Sequence, residues 1–410
     1  MEQDSELISD VVLETTESHA GQVNSSDQFD SKGVTLIAFA HGLHDTYSSW
    51  LGALLPVLIE KFTMTNTMAG ALSMALTIPS VLQPIFGYTA DRKNLRWMIV
   101  VAPAITALVM TNLGIIPSFN LLFLFLLIAG LGAAGLHSVG PGVASYFSGK
   151  SIGKGMSFWM IGGELGYSVG PLLATSMVGL IGFTRLPLLG IGGVLVSLFL
   201  AYATRDVDTR CTSKNLKINR PVFMANMKQV MLPIVLLLIT RALAGVMLGI
   251  FLPTFLQSQG ASLTIAGAGM AVAGAAGVVG AYIAGTLSDK VGRRKILSVA
   301  IVLTPIFMLL FLNAQGWVKI PLLILSGLFG LSLLPVMMST IMKFFPEDRS
   351  FANGIFMSLN FIIQSLGALL AGRIADLKGM PFTFMVAALA MPLGLLALLL
   401  MPKDHEAQGN

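Results

Sequence analysis

His41, His44 and Asp45 interrupt an apolar run that extends from Val34 to about Ile59. Titratable groups set this close together can relay a proton, hold a cation or bind a polar solute. His41 and Asp45 are four positions apart and His41 and His44 three, so on a helix the side chains leave one face. The run exceeds the roughly 20 apolar residues that a membrane-spanning helix needs. At about 1.5 Å of rise per residue, Asp45 lies roughly 16 Å from Val34, close to a bilayer midplane. Ionisable groups at that depth persist only where protein or a wet cavity solvates them, which marks the stretch as functional; the competing role is structural, tying the span to neighbouring helices. Two imidazoles and one carboxylate on a single helix specify no metal well, and none is expected.

Three further ionisable groups fall at similar depth. His137, Glu164 and Arg241 each stand well inside an apolar run, roughly 15–18 Å from its end. Imidazoles, with ordinary pKa values of about 6.5, relay or sense protons. A desolvated carboxylate binds its proton more tightly and a neighbouring cation loosens it, so substrate arrival and proton release can be linked. Asp45 is therefore the expected proton carrier, tuned by His41 and His44, with His137 as a relay and Glu164 competing for the role. Arg241 stays charged and presents a planar fork suited to a carboxylate or phosphonate. With His137 and His44 it is expected to bind substrate; its structural alternative is a permanent salt bridge with Asp45 or Glu164.

The elements that position these groups follow from composition. The chain has 410 residues, 55% hydrophobic and only 11% charged, with a mean hydropathy of +0.81. A soluble chain carries about 25% charged residues, so this is an all-α polytopic membrane protein. The net charge of +5 is no nucleic-acid footprint, because the basic residues lie in loops where they set topology. The single Cys211 excludes an intramolecular disulfide framework and a multi-cysteine metal site. Residues 1–30 hold eight acidic side chains and no Lys or Arg, the composition of a disordered tail rather than a signal peptide.

Twelve spans are expected, over 34–60, 67–90, 96–116, 119–147, 155–182 and 185–203, then 229–257, 263–285, 296–314, 318–343, 351–372 and 380–401. They divide into a first six-helix bundle (31–203), a polar linker (204–228), a second bundle (229–402) and a short tail (403–410). With the N-terminus cytoplasmic, nineteen Lys and Arg fall on the cytoplasmic side and five outside, a decisive positive-inside bias that places both termini in the cytoplasm. The halves read as copies. Gly87-Tyr88-Thr89-Ala90-Asp91-Arg92 and Gly285-Thr286-Leu287-Ser288-Asp289-Lys290 end equivalent spans, and Leu54-Leu55-Pro56 matches Phe251-Leu252-Pro253. The same offset maps His44 onto Arg241. Such repeats belong to transporters that rock one half against the other around a midplane site. Small residues, as in Gly267 to Gly280 of the eighth span and Gly162, Gly163, Gly166 and Gly170 of the fifth, let helix backbones approach and slide. Gly170-Pro171 and the nearby Gly166 are expected to bend the fifth span.

Gly285-Thr-Leu-Ser-Asp289-Lys290-Val-Gly292-Arg293-Arg294-Lys295 resembles the signature loop of the major facilitator superfamily, G-x-x-x-D-[RK]-x-G-R-[RK]-[RK], at every defining position. The copy at Gly87, Asp91 and Arg92 continues as Lys93-Asn94-Leu95-Arg96 and loses the later Gly-Arg pair. An Asp with adjacent Arg or Lys at a helix end can make charge-assisted bonds to a neighbouring helix terminus. The resemblance implies that these loops gate the transporter; the simpler reading is topogenic charge. Ala40-His41-Gly-Leu-His44-Asp45, Ser80-Val-Leu-Gln83-Pro84 and Gly132-Ala-Ala-Gly-Leu-His137 resemble the fosmidomycin-resistance branch, although Ser138 stands where that branch has proline. Gly163-Glu164-Leu-Gly166-Tyr-Ser-Val-Gly170-Pro171 resembles, in part, the antiporter motif of drug and proton exchangers.

The resemblance implies a twelve-helix major facilitator fold with spans 1, 4, 7 and 10 lining a central cavity. The expected protein is a monomeric inner-membrane transporter, without cofactor or enzymatic activity, whose partners are protons, lipid and a small-molecule substrate. It works by alternating access, exporting a drug-like or anionic compound in exchange for protons. The alternatives are a proton-linked importer or facilitator of an organic anion and, in another class, a sensor or scaffold that has kept the fold.

Overall fold

The computed structural model describes residues 28–90, 92–209, 227–345 and 349–401, and every regular element among them is helical. Eleven helices are long and apolar enough to cross a membrane. They are Asn66–Ala90, Arg96–Gly114, Phe119–Ser148, Lys154–Ile181 and Phe183–Ala203, then Met227–Ser258, Leu263–Ser288, Arg293–Asn313, Gly316–Ile341, Ala352–Lys378 and Met380–Leu400. Before them run Ser31–Ser48 and Trp50–Phe62, joined through Ser49, whose helical backbone (φ −71°, ψ −12°) and N–H bond to the Asp45 carbonyl at 3.1 Å carry one helix on into the next. Counting them together as span 1 gives twelve spans, numbered here in chain order, with the expected boundaries met to within a few residues. Span 11 runs past the expected end near 372, and Asp376 in its last turn has its own partners. Asp91, Cys211 and most of the linker and both tails lie outside the described residues.

Span 7 is irregular where Met247–Phe251 forms a π-turn, just before its Leu252-Pro253 pair. A π-turn inside a helix commonly marks a functional position. Here the turn packs on span 1: a Cβ on Gly52 would lie 3.3 Å from the Gly249 carbonyl and 3.4 Å from Ile250 Cα.

Small residues determine which spans touch. Gly162 and Gly166 of span 5 rest on the carbonyls of Ala38 and Gly42 in span 1, and Gly170 rests on that of Thr46. Span 5 runs as one helix with Pro171 inside it, and these glycines give it close approach to span 1. Gly166→Val would drive a side chain onto the Gly42 carbonyl. Overpacking of this kind costs about 1–3 kcal/mol, so the expected result is a lower unfolding temperature in detergent, read by thermal shift. An unchanged midpoint would contradict the contact.

Besides the contact of span 1 with span 7, the two repeats meet along two further seams. Span 2 lies on span 11, with Gly70 against the Ala368 carbonyl, Gly372 against the Asn66 carbonyl, and a 2.7 Å hydrogen bond between Thr77 and Ser365. Span 5 lies on span 8 through Gly267 against Thr175 and Gly274 against Ser168. At the first seam Asp376 caps span 2 from the opposite repeat. Its Oδ1 accepts from the Asn66 backbone N–H at 2.7 Å and from Asn66 Nδ2 at 2.9 Å. Its Oδ2 accepts from the Thr67 N–H at 2.9 Å and from Thr67 Oγ1 at 2.6 Å. A carboxylate on exposed helix N–H groups is favoured both by its bonds and by the helix dipole. Four bonds hold this end of the bundle together. At the signature-loop end Pro84 lies against Gly354, and among the described residues no atom of another element lies within 4 Å of a Cβ built on Gly87 or Gly285.

The signature loop shows why its glycine is needed. Gly292 takes φ of +101° between spans 8 and 9, a conformation costly for any residue with a Cβ. Arg294 donates to the Leu398 carbonyl at the end of span 12, and Arg96 donates to the Ala201 carbonyl at the end of span 6 at 3.1 Å. These are the same contact in the two repeats. The first loop therefore keeps one basic residue of the signature in place even though its Gly-Arg pair is gone. Arg293 Nε donates to Ser339 Oγ at 3.2 Å. Arg92 folds back onto its own helix, over the Tyr88 ring at 3.5 Å and onto the Tyr88 carbonyl at 2.9 Å. The expected gating aspartates are not tested by these contacts, because Asp91 and the Asp289 side chain lie outside the described residues.

Candidate functional site

Span 1 carries its polar face into the first repeat. His41 and His44 are buried, at 5% and 0% exposure, and Asp45 is nearly so. His137 of span 4 meets them. His41 Nε2 lies 3.2 Å from Asp45 Oδ2 and 3.2 Å from His137 Nε2, and His137 Nε2 lies 3.7 Å from Asp45 Oδ1. His44 Nε2 is 3.9 Å from Asp45 Oδ1 and 3.4 Å from Ser48 Oγ. Four of the five expected proton-coupling groups thus form one cluster. The fifth, Glu164 of span 5, is exposed but within electrostatic range of Asp45 and His41.

Hydrogen-bond partners fix the chemistry of the cluster. His41 Nδ1 faces the Trp159 carbonyl at 2.9 Å and His137 Nδ1 faces the Ala133 carbonyl at 2.8 Å. A carbonyl only accepts, so both Nδ1 atoms carry hydrogen. Their Nε2 atoms then point lone pairs at each other and at Asp45. Three acceptors cannot face one another without a bridging hydrogen. Two neutral imidazoles and a carboxylate therefore need one more proton, shared among His41, His137 and Asp45. The arrangement can accept and release that proton as its surroundings change.

Trp159 is part of this site, and sequence reasoning missed it. Its ring stacks on His41 with centroids 3.8 Å apart and planes 14° from parallel, and its carbonyl orients the imidazole. Gly163, one turn on, leaves no room for a Cβ against the same ring. A tryptophan in an apolar span carries no polar signal, and the orienting atom belongs to the backbone.

Arg241 of span 7 lies in the other repeat and is 5% exposed. Among the described residues it pairs with no carboxylate; the alternative of a permanent salt bridge to Asp45 or Glu164 is not what the structure contains. Its Nη1 donates to Asn360 Oδ1 of span 11 at 3.2 Å, and its Nε is buried without a partner. A Cβ on Gly245 would lie 3.1 Å from Gln364 Nε2 and 3.7 Å from Arg241 Nη2, so Gln364 and Arg241 face the same glycine. Asn360 and Gln364 were not foreseen, although an amide pair four residues apart in an apolar span places both on one helix face. A buried guanidinium with one neutral acceptor and an idle N–H has unused capacity for an anion.

The comparisons with known proteins agree with this architecture. Residues 37–245 and 234–410 match the model of the Major Facilitator Superfamily. The chain is 25% identical over 380 residues to the fosmidomycin resistance protein of Escherichia coli (strain K12), covering 90% of this chain and 93% of the relative. It is 24% identical, at the same coverage, to the uncharacterized MFS-type transporter YfnC of Bacillus subtilis (strain 168). Among solved structures, a bacterial homologue of the human lysosomal transporter Spinster, in an inward-facing and occupied conformation, superposes with a TM-score of 0.77 at 15% identity. That match covers 91% of this chain and 96% of the other. The nucleoside transporter NupG superposes with a TM-score of 0.69 at 18% identity, covering 90% and 99%. With two six-span repeats joined face to face, a polar cluster within the first and a buried arginine within the second, the chain belongs to the Major Facilitator Superfamily and is a membrane transporter.

Proposed function

We propose that this transporter moves a small anionic organic compound out of the cell in exchange for protons, as a monomer with both termini in the cytoplasm. The observation that carries the reading is the pairing of a proton-sharing cluster, His41, Asp45 and His137, in one repeat with an anion-ready Arg241 in the other. Rocking the repeats exposes both groups first to one side and then to the other. Coupling requires that the carrier close around a proton at Asp45 or around the substrate at Arg241, with Glu164 as a second carboxylate beside the cluster. The outward direction is supported by the E. coli relative, described as a resistance protein, and by an MFS-type efflux pump of Mycolicibacterium smegmatis, 31% identical over 143 residues and so over 32% of this chain.

One observation favours a second reading. Arg241 makes no ion pair with Asp45, so an anion held by Arg241 adds negative potential near the cluster without freeing a counter-charge. That electrostatic effect holds the proton rather than expelling it, which is the sign expected of co-transport. Everted vesicles with an acid interior distinguish the two. Antiport predicts that adding an anionic substrate from a broad panel of phosphonates and carboxylates releases protons from the interior. Co-transport moves them the other way relative to substrate, and no response to any member overturns proton coupling.

A further inference from the structure

We propose that His41, His137 and Asp45 also form a binding site for a divalent cation of the zinc class. This goes beyond proton-coupled transport and requires no particular substrate. His41 Nε2 stands 3.2 Å from His137 Nε2 and 3.2 Å from Asp45 Oδ2, and the other carboxylate oxygen, Oδ1, stands 3.7 Å from His137 Nε2. One ligand atom from each residue can be chosen with all three within 4.8 Å of one another, a spread that a small side-chain rotation closes to the roughly 3.3–3.5 Å edges of a tetrahedron whose corners lie about 2.0–2.1 Å from zinc. The ligands come from two spans and are held before any ion arrives, which distinguishes them from a chance surface cluster. Two imidazoles and a carboxylate, with the fourth position left to water or substrate, make an open site of the zinc type. Imidazole donors select this class over magnesium or calcium.

The second, independent observation is the outer shell. Metal-binding histidines donate their other ring N–H to a carbonyl or carboxylate, which fixes the tautomer and aims the free lone pair at the ion. His41 does this to the Trp159 carbonyl and His137 to the Ala133 carbonyl. His41 is further locked by the stacked Trp159 ring. Sequence alone specified no metal because its His and Asp residues lay on a single helix; span 4 supplies the ligand that completes the set. His44, whose Nε2 is 3.9 Å from Asp45 Oδ1, is a further donor within reach. Binding forms two metal–nitrogen bonds and one metal–oxygen bond, and the shared proton leaves to solvent. Metal and proton therefore exclude each other.

The full chain, purified without a histidine tag and stripped of metal, tests this by calorimetry with Zn²⁺ and by the visible spectrum of bound Co²⁺. The expected result is one ion per chain and about one proton released per ion, read from the dependence of the heat on buffer. His137→Ala and His41→Ala should each weaken binding more than roughly tenfold, while His19→Ala, in the tail, should not. X-ray absorption at the zinc edge of the unmodified chain should show two imidazole ligands at about 2.0 Å, independently of how any variant folds. No binding, loss on His19→Ala alone, or an edge spectrum without imidazole would overturn the site. Proton coupling is judged separately, in metal-free vesicles, so either idea can fail without the other.

Discussion

Asp45→Asn abolishes substrate-driven proton movement in metal-free vesicles while the chain stays folded and monodisperse. Asparagine has nearly the same shape and keeps a hydrogen-bonding group beside His41 Nε2, which Asp45 now meets at 3.2 Å. What it lacks is the charge and the ability to take up a proton. Without the carboxylate, His41 and His137 keep their Nδ1 hydrogens on the carbonyls of Trp159 and Ala133, and the asparagine amide N–H groups can donate to the Nε2 lone pairs. Both imidazoles then stay neutral, and the cluster neither needs an extra proton nor offers an anion to favour an imidazolium. A positioned proton-transfer group contributes roughly 10²–10⁴-fold to rate, so coupled flux should fall by at least about a hundredfold. Substrate binding at Arg241, measured in detergent, should persist, because Arg241 makes no ion pair with Asp45. If flux in the variant is unchanged, the proton resides elsewhere. Glu164→Gln then becomes the decisive comparison, since Glu164 is the other carboxylate within electrostatic range of the cluster.

The fold was legible in the sequence to the extent that bilayer physics fixes it. Twelve spans followed from length and loop charge, and the repeat relation followed from Leu54-Leu55-Pro56 against Phe251-Leu252-Pro253. The π-turn of span 7 was not legible, because an apolar sequence carries no mark of one extra residue in a helical turn. The meeting of His41 with Asp45 was written in their spacing. Their meeting with His137 was foreseen only as a shared depth, and the structure reduces it to 3.2 Å. Trp159, which orients His41 through a main-chain oxygen, leaves no trace in residue type. The Asp376 cap was missed for the opposite reason: a carboxylate near a span end looks like ordinary interfacial charge, and only the arrival of span 2 from the other repeat turns it into a latch. Degraded motifs also mislead. The first signature loop lost its Gly-Arg pair, yet Arg96 makes the same carbonyl contact to span 6 that Arg294 makes to span 12.

Arg241→Gln should separate substrate binding from stability, and the two readouts should move in different directions. An oxyanion held by the guanidinium fork loses two charge-assisted bonds in this variant, each worth about 1.5–3 kcal/mol, so affinity should fall by at least roughly a hundredfold. Arg241→Lys keeps the charge and loses the planar fork. It should retain part of the affinity and lose selectivity among phosphonates and carboxylates. Stability argues the same point from the other side. Were Arg241 half of a buried salt bridge, removing it would strand a carboxylate and cost about 3–5 kcal/mol. Among the described residues its hydrogen-bond partner is the neutral Asn360, and its Nε has none. A glutamine can still bond Asn360, and the bundle no longer has to bury an uncompensated cation. The unfolding temperature should therefore hold or rise. A marked drop in that temperature, with substrate affinity unchanged, would return Arg241 to a structural role and leave the second repeat without an anion site.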